Sequence, residues 1–234
     1  MTASVRSVGT SAENIVAITP GAPAGSVSGD IWYLLVETNP AELPGNPDAV
    51  AWTEVGTATG FGNAATTGTR LTVWRHVFAG TTPALTVGDS GNHQFAVVIA
   101  VRDADTTNPE HQVTNGGNST AATTVDAPAV TTTIDDCLVI AAIANGIDTP
   151  TDNQYSSWTN ADLTSLTQHF NENTDQGGGG GIGIVSGIKA IQGSVAATTA
   201  IIASTAWSSR TIAIRSVTAG APIITRRMLL GAGT

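Results

Sequence analysis

The sequence predicts an all-β protein, a jelly-roll-like antiparallel β-sandwich with an internal two-fold sequence repeat. Thr, Val and Ile are abundant, and branching at Cβ favours the extended backbone of a strand. Short apolar or alternating segments stand between clusters of Gly, Pro, Asn and Asp, and almost none has helical spacing. Many short strands joined by turn-rich loops are typical of a sandwich or jelly roll.

Ten segments carry the strand pattern. Several, such as IWYLLV and CLVIAAIA, are apolar at consecutive positions, so we expect central strands buried on both faces, by sheet packing or by neighbouring subunits. The segment ADLTSLTQHF also has the spacing of one helix face, and we read it as strand. In chain order the predicted strands are 14–19, 30–38, 50–56, 69–78, 93–102, 136–144, 157–166, 181–191, 198–204 and 207–215.

The second half of the chain repeats part of the first. At an offset of 106 residues, Asp30 matches Asp136, and the Trp-Thr pair at 52–53 matches that at 158–159. A duplication predicts two related halves, neither of which could close a sandwich alone. At an offset of 113 residues the further matches are Gly68 with Gly181, Gly80 with Gly193, and IAVR at 99–102 with IAIR at 212–215.

This repeat predicts a single domain with two interleaved halves. The domain would cover residues 1–216, with the halves at about 14–105 and 127–216. The polar run 106–133 would join them as the long connection that a Greek key needs. Residues 217–234 would form a C-terminal arm outside both halves.

Charge and hydropathy exclude several classes of partner. Net charge is −9 and Lys189 is the only lysine, so no surface could track a phosphate backbone, and we expect no nucleic-acid partner. The N-terminus lacks a basic region before an apolar core, and no apolar run approaches the roughly 18 residues of a spanning helix. We therefore expect no signal peptide and no membrane partner. Cys137 lies in an apolar run and is expected to be a buried small hydrophobe.

The five glycines at 177–181 do not match a nucleotide-binding loop. A Walker loop needs Lys and Ser or Thr directly after its glycines, but Ile182 follows here. A Rossmann loop needs a strand before and a helix after, whereas a polar stretch precedes and a strand pattern follows. The run GSVSG at 25–29 also misses the hydrolase pattern G-x-S-x-G, because Val27 holds the central position. We expect a lengthened turn at the glycines, no cofactor and no enzymatic activity.

Two groups of residues have weak metal-binding patterns. Asp103, Asp105, Asn108 and Glu110 resemble part of a calcium loop, but Asn108 stands where such a loop has its sixth-position glycine. We therefore expect a turn stabilised by hydrogen bonds from side chains to the backbone. The histidines show no zinc-site spacing. His76 and His93 both fall in predicted strands, and a metal pair between them stays open as an alternative.

The five tryptophans could either pack in the core or stack on sugar rings at the surface. Trp52 and Trp158 are equivalent in the repeat, which favours equivalent core sites. Tryptophans exposed on a sandwich would instead indicate a glycan-binding surface. The NST sequon at Asn118 is expected to be ordinary loop chemistry. The tryptophans are Trp32, Trp52, Trp74, Trp158 and Trp207.

The C-terminal arm is the predicted partner-binding segment. It combines two arginines with an apolar run and has too little local structure to bury its own apolar side chains, so we expect it to dock on a neighbouring subunit. The predicted contact residues are Ile223, Ile224, Arg226, Arg227, Met228, Leu229 and Leu230.

The order of several segments along the chain carries a family resemblance. GD-IWYLLVE, AWTEVG, LTVWRHVFAG and FAVVIAVRDADTTNP, followed by CLVIAAIANGID, GIGIVSGIKAIQG and AWSSRTIAIR, resemble β-sandwich structural proteins of tailed bacteriophages over residues 14–215. Members of this family are capsid decoration proteins, head fibres and tail appendages.

The resemblance implies a non-enzymatic virion protein assembled in the host bacterial cytoplasm. A capsid decoration or cement protein is the first expectation; it would form a homo-oligomer and bind the major capsid protein or tail proteins. A glycan- or receptor-binding tail-fibre or tail-tip protein is the alternative.

Overall fold

The structure, a computed structural model, describes residues 1–63 and 68–217. All regular elements within these ranges are β-strands, paired antiparallel in stacked, sandwich-like layers. The predicted all-β sandwich class is therefore confirmed. Within the same ranges, no helix has the length and apolar character needed to span a membrane.

The first sheet is built entirely by the first half of the chain. Its strand order is β1-β7-β3-β6-β4, with β2 also pairing with β7 and β5 with β6. The strands are β1 Ser4–Val8, β2 Ala12–Asn14, β3 Ile31–Thr38, β4 Thr53–Glu54, β5 Gly60–Phe61, β6 Thr69–Val77 and β7 Gln94–Arg102.

The second sheet is built by the second half. Its order is β11-β15-β10-β13-β12, and β8 pairs with the side of β15 opposite β10. The strands β9 and β14 pair only with each other. The bounds are β8 Glu110–Ala127, β9 Val130–Thr132, β10 Cys137–Asn145, β11 Ser156–Thr159, β12 Thr164–Thr174, β13 Gly180–Lys189, β14 Gly193–Val195 and β15 Thr198–Ile214.

The central core lies between the two sheets. Alternate residues of β3, such as Tyr33 and Leu35, meet Leu138 and Ile140 of β10 there. The intervening residues of β3 face an outer cluster formed only by the first half. Each side chain of this kind contributes about 1.5–3 kcal/mol by its burial. The consecutive apolar positions thus reflect burial on both faces, as predicted, and a single chain provides it.

Different elements cover the outer faces of the two sheets. On the first sheet, Ile18, Trp52 and Val87, which lie outside the longer strands, pack over β3, β6 and β7. On the second sheet, Val125 of β8 and Ile202 of β15 belong to the strands themselves. The second half therefore covers its outer face with extensions of its own strands.

Several predicted boundaries are wrong. The polar run 106–133, predicted as a connection, is mostly strand β8. The predicted strand 157–166 is two strands, β11 and β12, and those at 198–204 and 207–215 are one continuous strand, β15. Each half builds its own sheet, and the division into a single domain with two interleaved halves stays a prediction. The jelly-roll connectivity and the internal repeat stay predictions, with which the two sheets are consistent.

Candidate functional site

The predicted partner-binding residues lie outside the described residues. They are Ile223, Ile224, Arg226, Arg227, Met228, Leu229 and Leu230. Before them, the Val217 N–H donates to the carbonyl of Asp103 (2.8 Å), and the Ser216 hydroxyl donates to the carbonyl of Asp136 (2.6 Å). Residues from both halves therefore hold the segment that leads into the arm.

Four of the five tryptophans are core residues. Trp32, Trp52, Trp74 and Trp207 are at most 5% exposed. The indole N–H of Trp52 donates to the carbonyl of Ala84 (2.9 Å), which satisfies its polar atom inside the core. Trp158 is half-buried and stacks on Tyr155 with a centroid separation of 5.4 Å. Core packing, the favoured prediction, is confirmed for these four, and Trp158 alone offers part of a ring to solvent.

The two strand histidines lie at opposite ends of the first sheet. His76 is paired with Trp32 at the start of β3, whereas His93 precedes Gln94, which pairs with Thr38 at its end. Six strand residues, about 20 Å, separate these positions. The alternative of a His76–His93 metal pair is therefore wrong.

The acidic run after β7 forms a hydrogen-bonded turn. The carboxylate of Asp105 accepts hydrogen bonds from the backbone N–H groups of Thr107 (2.8 Å) and Asn108 (3.2 Å), and these bonds hold its pKa below the usual value. This confirms the predicted turn. Across residues 1–63 and 68–217, no group of three or more His, Cys, Asp or Glu side chains could hold a metal ion.

Residues 177–179 of the glycine run lie in a turn between β12 and β13, as predicted, and Gly180 and Gly181 begin β13. Gly177 and Gly179 adopt positive φ angles of 60° and 65°, which other residues rarely adopt. The N–H of Gly178 donates to the Asn92 side-chain oxygen (2.7 Å), so the first half holds this turn of the second. A Cβ on Gly180 would overlap the carboxylate of Glu37. The glycines therefore allow close packing between the halves.

Beside this turn lies a buried ion pair between Glu37 and His93. The His93 Nε2 atom lies 3.1 Å from Oε2 of Glu37, and the Thr69 hydroxyl donates to Oε1 (2.8 Å). Burial raises the pKa of Glu37. Burial alone would lower the pKa of His93, but the Glu37 carboxylate raises it above the usual value. Both side chains are at most 1% exposed, so the pair joins strand ends and meets no substrate.

The largest open feature is the free side of β8. This strand has 18 residues, about 60 Å of backbone, and one side pairs with β15 along most of its length. No strand of the described residues pairs with the other side. Residues 112–125 contain no charged residue and no proline, the residue types with which proteins usually block an edge.

The ladder of β8 shifts register three times, but it is unbroken over residues 112–118. The remaining sheet edges have shorter unbroken stretches. The register of β1 shifts between Val5 and Ser7, and β12 shifts twice. Ser165 of β12 also has a positive φ of 55°. The strands β4 and β5 have two residues each. These features hinder strand addition, so β8 offers the longest regular edge.

Side-chain hydrogen bonds attach β8 to the first half, and they leave the backbone of its free side unpaired by any described strand. The Asn115 amide donates to the carbonyl of Thr57 (2.8 Å), and the Gly62 N–H donates to the Ser119 hydroxyl (3.1 Å). The ladder with β15 is regular over residues 112–118. Sequence reasoning missed this strand because Thr, Asn and Gly are also loop residues, and residues 110–127 show no regular alternation of apolar and polar positions.

Comparisons with protein-family models, curated proteins and solved structures found no match.

Proposed function

We propose that this chain is a non-enzymatic structural protein of a tailed-bacteriophage virion, in the first place a capsid decoration or cement protein. The observation that carries the proposal is the free, uncharged edge of β8, the longest regular edge among the described residues. Soluble proteins that act alone block such edges, whereas a subunit in an assembly has them covered by a neighbour. The family resemblance over residues 14–215 supports the same class.

The surface composition supports protein partners. Charged residues are only 12% of the chain, and exposed apolar side chains include Leu43 (71% exposed), Val50 (98%) and Ile191 (73%). The proposed partners are the major capsid protein or tail proteins, with further copies of the chain, in a virion assembled in the bacterial cytoplasm.

Binding to particles tests the proposal. Particles that lack this protein would be mixed with the purified full chain, sedimented, and examined by electron microscopy for added density. We expect saturable binding at repeated sites on the head. The same chain without residues 217–234 should keep its fold and lose attachment. Absence of binding by the full chain would refute the proposal, and unchanged binding by the truncated chain would refute the role of the arm.

A glycan- or receptor-binding tail protein is a second candidate, favoured only by the partly exposed Trp158. Its indole N–H already donates to the Gln168 side chain (2.9 Å), and one face stacks on Tyr155. A glycan array tests this candidate: sugar binding that Trp158→Ala abolishes would support it, and a silent array at millimolar sugar would remove it.

A further inference from the structure

We propose that β8 pairs antiparallel with β8 of a second copy of this chain, across a two-fold axis. This inference deepens the proposed function, because it names the first neighbour that covers the free edge. The two second-half sheets would then form one continuous sheet through the pair.

A strand edge is complementary to itself in this arrangement. The N–H and C=O groups on the free side alternate, and a two-fold rotation brings each donor opposite an acceptor. Symmetric two-fold dimers are also the most frequent homo-oligomers. The other interrupted or two-residue edges offer a shorter ladder, so a second copy gains most at β8.

The absence of charge along this edge favours its approach by a second copy. Two copies of a chain with net charge −9 repel each other, and residues 112–125 carry no charge. The titratable residues of β8 are confined to its ends, at Glu110, His111 and Asp126. Approach along the uncharged stretch therefore brings no carboxylates together.

The regular part of the ladder suggests a register. Residues 112–118 pair with β15 without a shift, and the centre of this run is Asn115. A two-fold axis at Asn115 places Gln112 opposite Asn118 of the second copy. Glu110 then lies opposite Thr120 of the second copy, so no carboxylate faces another along the pair. Amide and hydroxyl side chains can hydrogen-bond across such a pair.

Sedimentation equilibrium of the purified full chain over a concentration series tests the pairing. The edge variant Gln112→Lys/Asn115→Lys places four like charges along the paired strands. The control Thr164→Lys/Thr167→Lys makes the same change, with the same spacing, on the interrupted edge β12; all four positions are exposed. We expect a dimer for the parent and the control, and a dimer dissociation constant raised about tenfold or more for the edge variant.

A parent that stays monomeric, or an edge variant that dimerises as the control does, would overturn the inference. Circular dichroism and unfolding midpoints show whether each variant folds. If the edge variant does not fold, amide hydrogen exchange of the unsubstituted chain decides: protection of 112–118 must increase with protein concentration. Protection that appears only when particles are added would identify a different partner and overturn self-pairing.

The two proposals fail separately. A monomer that binds particles keeps the proposed function and removes the self-pairing. A dimer that binds no particle does the reverse.

Discussion

The two sheets share a centre and differ at their periphery. In each, a fully buried strand lies between the half's last long strand and a third long strand: β7-β3-β6 in the first and β15-β10-β13 in the second. The first half ends its sheet with two-residue strands and covers it with loops. The second extends β8 and β15 to 18 and 17 residues. Extension covers the outer face with strands, but it also creates the free edge.

Residues that match in the repeat do not all share a role. Asp30 is 2% exposed, and both its oxygens accept hydrogen bonds from Arg102 at 2.9 Å. Its match Asp136 is exposed and has a positive φ of 54°. The match of Arg102, Arg215, contacts His111 instead (3.1 Å). The ion pair thus belongs to the first half only.

The face on which each residue lies explains which residues matched in the repeat occupy equivalent positions. Ile99 of β7 and Ile212 of β15, 113 residues apart, both face the central core. Ile31 of β3 also faces this core, but Cys137, 106 residues later, does not; Leu138 does. A shift of one residue reverses the faces of a strand, so the 106-residue matches pair residues on opposite faces.

The largest contrast between the halves is expected at their matched tryptophans. Trp52→Ala should lower the free energy of unfolding by about 3–5 kcal/mol, because it leaves a cavity in the outer cluster and the Ala84 carbonyl without its donor. Trp158→Ala should cost about 1 kcal/mol, since that ring is half-buried. Urea unfolding of both variants measures the difference. Equal losses would mean that the two residues fill equivalent sites after all.

The matched glycines should behave alike. A Cβ on Gly68 would approach Pro40 Cγ to 2.3 Å, and one on Gly181 would approach the Asn173 side-chain oxygen to 2.0 Å. Gly68→Ala and Gly181→Ala should each destabilise the fold by about 1–3 kcal/mol through overpacking. Gly88→Ala, with open space around its Cβ, is the control in the same unfolding experiment. A tolerated alanine at either matched site would break this equivalence.

The sequence predicted the centre of each sheet better than its periphery. Apolar runs identify β3, β7 and β10 because burial on both faces needs apolar residues at consecutive positions. The burial of Cys137 and the turn at Asp105 were also predictable, because each depends on residues nearby in the sequence. The strand β8 was not, because its polar residues become a strand only through pairing with β15. The Glu37–His93 pair was also missed, since nothing local joins residues 56 positions apart.

A smaller contrast is expected at the matched aspartates. The Asp30 carboxylate binds Arg102 and accepts a hydrogen bond from the Val27 N–H (2.9 Å). Asp30→Asn removes its charge, so the unfolding midpoint of this variant should fall. Asp136→Asn should leave the midpoint almost unchanged, because that side chain is exposed and Asn tolerates a positive φ. Thermal unfolding at low and high salt compares the two. A salt-sensitive fall in the unfolding midpoint of Asp136→Asn alone would mean that Asp136, and not Asp30, forms the stabilising ion pair.

The smallest effect is a change in the pH dependence of stability at the contact between the halves. The pKa of His93 in the folded protein is raised above 6.5, although burial alone would lower it, because Glu37 stabilises the imidazolium. Its contribution is therefore complete below pH 6.5 and is lost as pH rises through the folded pKa. In Glu37→Gln this carboxylate is absent, and only the smaller effects of Glu42 and Asp148 oppose that of burial, so the folded pKa of His93 falls below its value in the parent. The stability that is lost as pH rises above 6.5 is then smaller in the variant than in the parent.

Burial also lowers the pKa values of His111 and His169, and this affects the stability of the parent and of Glu37→Gln equally. The difference in stability between the two proteins therefore isolates the Glu37–His93 pair. Unfolding free energies of both proteins would be measured from pH 5 to 9 and plotted against pH. Above pH 6.5, the slopes of the two plots should differ by at most about 1.4 kcal/mol per pH unit, the value for one proton. Parent stability should fall more steeply than that of the variant as pH rises above 6.5. Parallel profiles would show that Glu37 does not hold the proton on His93.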